Sequence, residues 1–88
     1  MKLSPDFVAR RVVDSAVLVP FGKAQVNFNG LLTLNKTGAF LAEKLKEETT
    51  VDDLVAALLE KFEIDEETAR RDLDVFLDQL RANGALVE

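Results

Sequence analysis

The chain has 88 residues, a net charge of −5 and 48% hydrophobic residues. This length and composition predict one domain spanning residues 1–88 with a modest core. We expect residues 1–6 to be flexible. It contains no histidine and no cysteine, so the usual general base, thiolate nucleophile and soft metal ligands are missing, and we expect no catalytic residues, no metal and no cofactor. No apolar run is long enough to cross a membrane, and the N-terminal residues lack the apolar core of a signal peptide, which favours the cytoplasm.

The first third of the chain has the composition of β-strands. Residues 7–13 are rich in β-branched side chains, and a second apolar run at residues 16–19 follows a turn-prone Asp-Ser pair. Residues 24–28 alternate between apolar and polar side chains, which fits either an extension of that strand or a flap. An Asn-Gly turn signal then precedes the last predicted strand, residues 31–34.

The rest of the chain has the periodicity of three helices. Each begins at a residue type that accepts a hydrogen bond from the first turn, namely Asn35, Thr50 and Asp65. The third helix ends at Gly84, a residue type common at helix C-termini. In the second helix, apolar residues recur at helical spacing and predict a core-facing side. They are Val51, Leu54, Val55, Leu58, Leu59 and Phe62.

Three strands followed by three helices predict an α+β fold. The short connection between the second and third helices is typical of a winged helix-turn-helix arrangement, here a three-stranded antiparallel sheet followed by three helices. Because a fold does not determine a function, a candidate site has to be argued from particular residues.

The third helix carries one apolar residue outside its core-facing stripe. That stripe spans about 100° of the helix. Its members are Ala69, Leu73, Phe76, Leu77 and Leu80. Val75 lies outside the stripe, about 120° around the helix from Ala69, beside Arg71, Asp72 and Gln79. A lone exposed valine is common in proteins and is one interpretation. The other is that these four residues form the wall of a shallow groove.

Charge is distributed unevenly and bears on nucleic-acid binding. Residues 1–36 carry a net charge of +3 and residues 37–88 a net charge of −8. The third helix, residues 65–83, carries −3, whereas a winged helix that reads DNA inserts this helix into the major groove and needs positive charge there. We therefore expect no nucleic-acid partner and no membrane partner, and a winged-helix DNA-binding regulator is the alternative to the leading function.

A set of motifs between residues 7 and 87 resembles a known family. The set comprises Leu18-Val19-Pro20, the run FNGLLTLNKTGAF at residues 28–40, Thr50 with Leu54, Ala69-Arg70-Arg71-Asp72-Leu73, Phe76-Leu77, Leu80 and Gly84-Ala85-Leu86. The Leu-Asn-x-Thr-Gly segment before a helix is specific in combination with the Asp–Leu and Phe–Leu pairs at this spacing. No single one of these motifs would identify a family. With these motifs the sequence resembles the proteins related to the D protein of pyrroloquinoline quinone synthesis, the PqqD-like precursor-peptide recognition elements.

The resemblance implies a peptide-binding adaptor. Members of the family bind the leader segment of a ribosomally made precursor peptide and present its core to a modifying enzyme, often a radical S-adenosylmethionine enzyme. The leader adds as a strand to the edge of the sheet and lies against the third helix. Carried over to this chain, the implied peptide-binding residues are Leu31, Leu32, Thr33 and Leu34 on the edge, and Arg71, Asp72, Val75 and Gln79 on the groove wall. Of the strand residues, Leu32 and Leu34 are expected to face the core.

An exposed sheet edge supports more than one kind of partner. Its unpaired backbone groups give affinity to an incoming strand without demanding a particular side chain. The same edge on a second copy of the chain would serve equally well, so an oligomerising scaffold, such as a homodimer, is a further alternative. The sequence identifies neither the precursor peptide nor the partner enzyme.

Overall fold

The computed structural model describes residues 1–13, 15–22 and 32–88, which include parts of the predicted strands and all three predicted helices. The described strands are β1 (Lys2–Leu3), β2 (Phe7–Val12), β3 (Ser15–Pro20), β4 (Leu32–Leu34) and β5 (Leu86–Val87). The described helices are α1 (Lys36–Lys44), α2 (Val51–Lys61) and α3 (Glu66–Ala82). Within the described residues, a three-stranded antiparallel sheet is thus followed by three helices, which confirms the predicted α+β fold. The predicted features at residues 24–31 lie outside the described residues.

The main sheet has one face on the core and one toward solvent. β3 lies between β2 and β4, and in the β3–β4 pair Ala16 is opposite Leu34 and Leu18 is opposite Leu32. Leu18 and Leu34 are buried and Leu32 is half-buried, while Thr33 is exposed. Because side chains alternate between the two faces of a strand, this pattern confirms that Leu32 and Leu34 face the core.

The three predicted helix N-caps are confirmed. Side-chain oxygens of Asn35, Thr50 and Asp65 each accept a hydrogen bond from the backbone N–H three residues later, at 2.8, 3.2 and 2.8 Å respectively. Hydrogen bonds from Thr68 lower the pKa of the Asp65 carboxyl, because they favour its charged form. Gly84 follows the C-cap of α3 with a φ of 68°, a conformation that glycine adopts without a Cβ clash.

The N-terminal residues form backbone contacts with distant parts of the chain, and the flexibility expected for residues 1–6 stays a prediction. β1 pairs with β5 in a second, two-stranded sheet, where Leu3 is opposite Leu86. The backbone N–H of Leu3 donates to the carbonyl of Leu45 at 2.8 Å, and the Leu3 side chain is buried. A strand of two residues leaves no periodic pattern by which the sequence would reveal it.

The helices and the inner face of the main sheet enclose a leucine-rich core. Its fully buried side chains include Leu18, Leu34, Leu41, Leu45, Leu54, Leu58, Leu73, Leu77 and Leu80. The predicted core-facing side of α2 also includes Val51 and Leu59, but these side chains are 37% and 38% exposed. α2 is covered on one side only, so its buried stripe is narrower than its apolar face. Among the described residues, no helix combines the length and hydrophobicity needed to cross a bilayer.

Candidate functional site

An open groove lies between β4 and α3, with the start of α1 at its floor. Its volume is about 390 Å³. The residues that line it are Thr33, Leu34, Asn35, Thr37, Gly38, Leu41, Asp72, Val75, Phe76 and Gln79. A strand edge, a helix start and a helix face therefore meet at one surface depression.

Gly38 allows α1 and α3 to approach each other at the floor of the groove. A Cβ at this position would lie 3.2 Å from Cε1 of Phe76 and 3.4 Å from Cβ of Leu34. The first distance is shorter than an ordinary van der Waals contact, so glycine is what accommodates the phenylalanine ring. Glycine lowers helix stability in general, and here it leaves room for the Phe76 ring at the floor of the groove.

The wall of the groove on α3 is apolar at its centre and polar on either side. Val75 is 65% exposed, while Phe76 beside it is 7% exposed. Asp72 and Gln79 lie three residues before and four residues after Val75, so the three side chains share one helix face. The arrangement can bury an apolar side chain of a ligand against Val75 and Phe76, and it offers hydrogen-bonding groups to the ligand's polar atoms.

The structure brings together five of the eight predicted site residues. Those that line the groove are Thr33, Leu34, Asp72, Val75 and Gln79. Leu32 faces the core, and Arg71 is exposed but lies outside the lining, because it is about 100° around the helix from Asp72. Leu31 lies outside the described residues.

The sequence does not single out the other lining residues as part of a site. They are Asn35, Thr37, Gly38, Leu41 and Phe76. Asn35 and Gly38 stand out as helix-start residues, and Leu41 and Phe76 as core residues. The one available signal is that α1 begins directly after β4, which forces the first turn of the helix to adjoin the strand edge.

The direction of the backbone hydrogen bonds shows which groups of β4 face outward. The N–H of Phe21 donates to the carbonyl of Asp6 at 2.7 Å, and continuing the β2–β3 register by one pair places these two residues directly opposite each other. Since bonding directions alternate along a strand, the odd-numbered residues of β3 bond to β2 and its even-numbered residues bond to β4. Those even-numbered residues are opposite Leu32 and Leu34. The N–H and C=O of Thr33 are therefore directed away from β3.

Thr33 thus presents a backbone donor and a backbone acceptor beside the groove. Among the described strands, none pairs with this side of β4. β2 forms the other edge of the sheet, but it carries Arg10 and Arg11, and charged side chains discourage the addition of a strand. The β4 edge is consequently the better site for an incoming strand.

Carboxylates neutralise most of the arginines on α3. Arg70 donates to Glu66 at 3.0 Å, and Arg81 donates to Glu88 at 2.8 Å. These bonds raise the pKa of both guanidinium groups. With a net charge of −3 over residues 65–83, the helix is poorly suited to phosphate contact. The described part of the chain also contains no group of three or more side chains suited to hold a metal ion.

The fold and the site define a class, a winged helix-turn-helix-like α+β domain in which an open sheet edge adjoins a groove. Residues 16–86 match the family of coenzyme PQQ synthesis protein D (PqqD), and the chain belongs to this family. No curated protein matches the chain significantly.

Two solved structures are similar to almost the whole chain. TbiB1 in complex with the TbiA(beta) leader peptide is 26% identical with a TM-score of 0.79, and the match covers 96% of this chain and 92% of that one. Lasso peptide synthetase B1 complexed with the leader peptide is 22% identical with a TM-score of 0.76, covering 99% of this chain and 96% of that one. At its lower identity, the second similarity supports the fold alone.

Proposed function

We propose that this chain binds the leader segment of a ribosomally synthesised precursor peptide and presents the rest of that peptide to a modifying enzyme. The observation that carries the proposal is the outward-facing N–H and C=O of Thr33 beside the groove. Membership of the PqqD family supports it, as does the leader-peptide complex formed by TbiB1.

In the proposed complex, the leader adds to β4 as a strand and places one apolar side chain in the groove. Backbone bonds to Thr33 provide affinity for many sequences, while the surface formed by Val75 and Phe76 selects the side chain. Asp72 on the groove wall disfavours a leader that carries a carboxylate next to this apolar residue, because like charges repel.

The proposed role is that of an adaptor, with the chemistry supplied by a partner. The sequence lacks histidine and cysteine, and Asp72 is the one charged side chain among the described residues that line the groove. A lone exposed carboxylate without a second acid or base is a poor catalytic site. The proposed partner is a radical S-adenosylmethionine enzyme, acting in the cytoplasm where the precursor is made.

Isothermal titration with the leader of a precursor encoded beside this gene tests the proposal. We expect saturable one-to-one binding with a micromolar or lower Kd, which corresponds to about −8 kcal/mol or better. A scrambled leader of the same composition is the matched control and should bind much more weakly. Equal binding of the leader, the scrambled leader and the leaderless core would contradict the proposal.

The two alternative functions predict different results. A winged-helix regulator requires tight, salt-sensitive binding to duplex DNA, and the acidic α3 leads us to expect none at physiological salt. An oligomerising scaffold that pairs through β4 would sediment as a dimer, and a leader would dissociate it. Fluorescence anisotropy with a labelled duplex and analytical ultracentrifugation with and without leader distinguish these outcomes.

A further inference from the structure

A second depression lies on the opposite side of α1 from the groove. It has a volume of about 160 Å³ and lies between the β2–β3 hairpin, α1 and the C-terminal end of α2. The residues of interest, here called the cationic–aromatic patch, are Arg11, Val13, Lys36, Phe40, Lys61 and Phe62. Gly38 and Leu41 line the groove whereas Phe40 lines the patch, so α1 separates the two surfaces.

The centre of the patch is aromatic. The Phe40 and Phe62 rings meet edge to face, with centroids 5.5 Å apart and planes at 89°. Both side chains are half-buried, so they are fixed against the core while part of each ring faces the depression. The Nζ of Lys44 lies 5.4 Å from the Phe40 ring centroid and adds a further positive charge at the border of the patch.

Three cationic side chains line the rim of the patch. Arg11, Lys36 and Lys61 are exposed, and none of them forms an ion pair within the described residues. This differs from α3, whose Arg70 and Arg81 each pair with carboxylates. In a chain with a net charge of −5, the patch is therefore a local surface of the opposite sign.

The hairpin places an apolar side chain in an unfavourable setting next to these cations. Val13 is 89% exposed, and its φ of 54° lies in the left-handed region. That region is costly for a β-branched residue, and the exposed valine gains no burial in return. Strained residues of this kind concentrate where a protein engages a ligand or partner.

We propose that the cationic–aromatic patch docks an acidic segment of a partner protein, in which carboxylates surround an aromatic or bulky aliphatic side chain. The carboxylates face Arg11, Lys36 and Lys61, and the apolar side chain contacts Phe40, Phe62 and Val13. Charge complementarity determines the choice of partner, since this surface is positive on an acidic protein. The proposal goes beyond leader binding, because α1 separates the patch from the groove and both surfaces can be occupied at once.

A protein segment fits the patch better than a nucleic acid. Binding of a nucleic-acid strand draws its affinity from many phosphate contacts along a continuous basic track. Here the cations surround one depression, and residues 37–88 carry a net charge of −8. The aromatic rings are also half-buried and edge to face, which makes them a poor platform for stacked bases.

The test is a fluorescence anisotropy titration with three labelled probes. They are a short peptide with a central phenylalanine between glutamates, the same peptide with glutamine replacing glutamate, and a short single-stranded DNA. The patch variant is Arg11→Glu with Lys61→Glu. The matched control is Arg10→Glu with Lys2→Glu, which changes the net charge equally. Arg10 lies next to Arg11 on β2 but on the opposite face of the sheet.

We expect the acidic peptide to lose at least about tenfold in affinity for the patch variant and less than about threefold for the control, with weak binding of the glutamine peptide. Lys36→Glu is a second variant that should stay folded, because a negative charge suits the first turn of α1. It should lose affinity in the same direction.

Three outcomes would overturn the proposal. They are equal losses in the patch variant and the control, tighter binding of the DNA with the same dependence on the patch, and no binding of the acidic peptide. The leader titration with the same variants keeps the two proposals distinguishable. Leader affinity should be unchanged by the patch substitutions, whichever way the acidic-peptide experiment turns out.

Discussion

Replacing Thr33 with proline should weaken leader binding while leaving the domain folded. The N–H of Thr33 is directed away from β3, so Thr33→Pro removes no hydrogen bond of the main sheet, and edge strands tolerate proline. A leader carbonyl that bonds to this N–H would be buried without a partner, which costs about 1–3 kcal/mol. At about 1.4 kcal/mol for each factor of ten, the Kd of the leader should rise roughly 5- to 150-fold.

Two related substitutions serve as controls for this experiment. Thr33→Ala retains the N–H and removes an exposed side chain, so the leader Kd should change by less than about threefold. Leu32→Pro removes a hydrogen bond to β3 and should therefore lower the melting temperature. Thr33→Pro should lower the melting temperature less. Circular dichroism verifies the fold, and isothermal titration measures the Kd. If folded Thr33→Pro binds the leader as tightly as Thr33→Ala, the leader does not pair with this edge.

Further substitutions separate the groove from the core. Phe76→Ala should lower the free energy of unfolding by about 3–5 kcal/mol, and Val75→Ala by less than about 1 kcal/mol, as measured by thermal melts. Equal losses of stability in the two variants would place Val75 in the core. In leader titrations, Val75→Asp should weaken binding, because it sets an unpaired charge against an apolar side chain of the leader. Leu59→Asp makes the matched change on α2 and should leave leader binding unchanged. Similar losses of affinity in both variants would indicate a general charge effect. Gly38→Ala gains about 1 kcal/mol of helix propensity but crowds the Phe76 ring, so the free energy of unfolding should change by less than about 1 kcal/mol. Leader affinity should fall, because the ring shifts at the floor of the groove. Unchanged leader affinity would show that the position of the ring does not matter for binding.

The helix starts could be predicted from the sequence because the contacts that define them are local. Asn35, Thr50 and Asp65 each bond to a backbone N–H three residues away, so residue type and spacing were sufficient. The exposed position of Val75 followed from helical angle in the same way, since the buried side of α3 is a single stripe. Helical angle alone also placed Arg71 beside Val75, but Arg71 is not among the residues that line the groove.

The floor of the groove and the orientation of β4 depend on contacts between distant parts of the chain. Phe76 has the sequence signature of a core residue, and only its approach to Gly38 shows that it also faces the groove. The outward direction of the Thr33 N–H follows from a hydrogen bond between Phe21 and Asp6, at the far end of the β2–β3 pair. Residue type does not reveal which residues of a strand direct their N–H outward, because the backbone groups of every non-proline residue are the same.

In the proposed complex, the selection of leaders falls to the groove. Among the three described residues of β4, Thr33 is the one whose N–H and C=O face outward, so addition of a strand to it forms two backbone bonds. At about 0.5–1.5 kcal/mol each, they supply about 1–3 kcal/mol. Burial of one large apolar side chain in the groove contributes about 1.5–3 kcal/mol more. Because the backbone bonds are also indifferent to sequence, discrimination between leaders has to come from the side chains held against Val75 and Phe76.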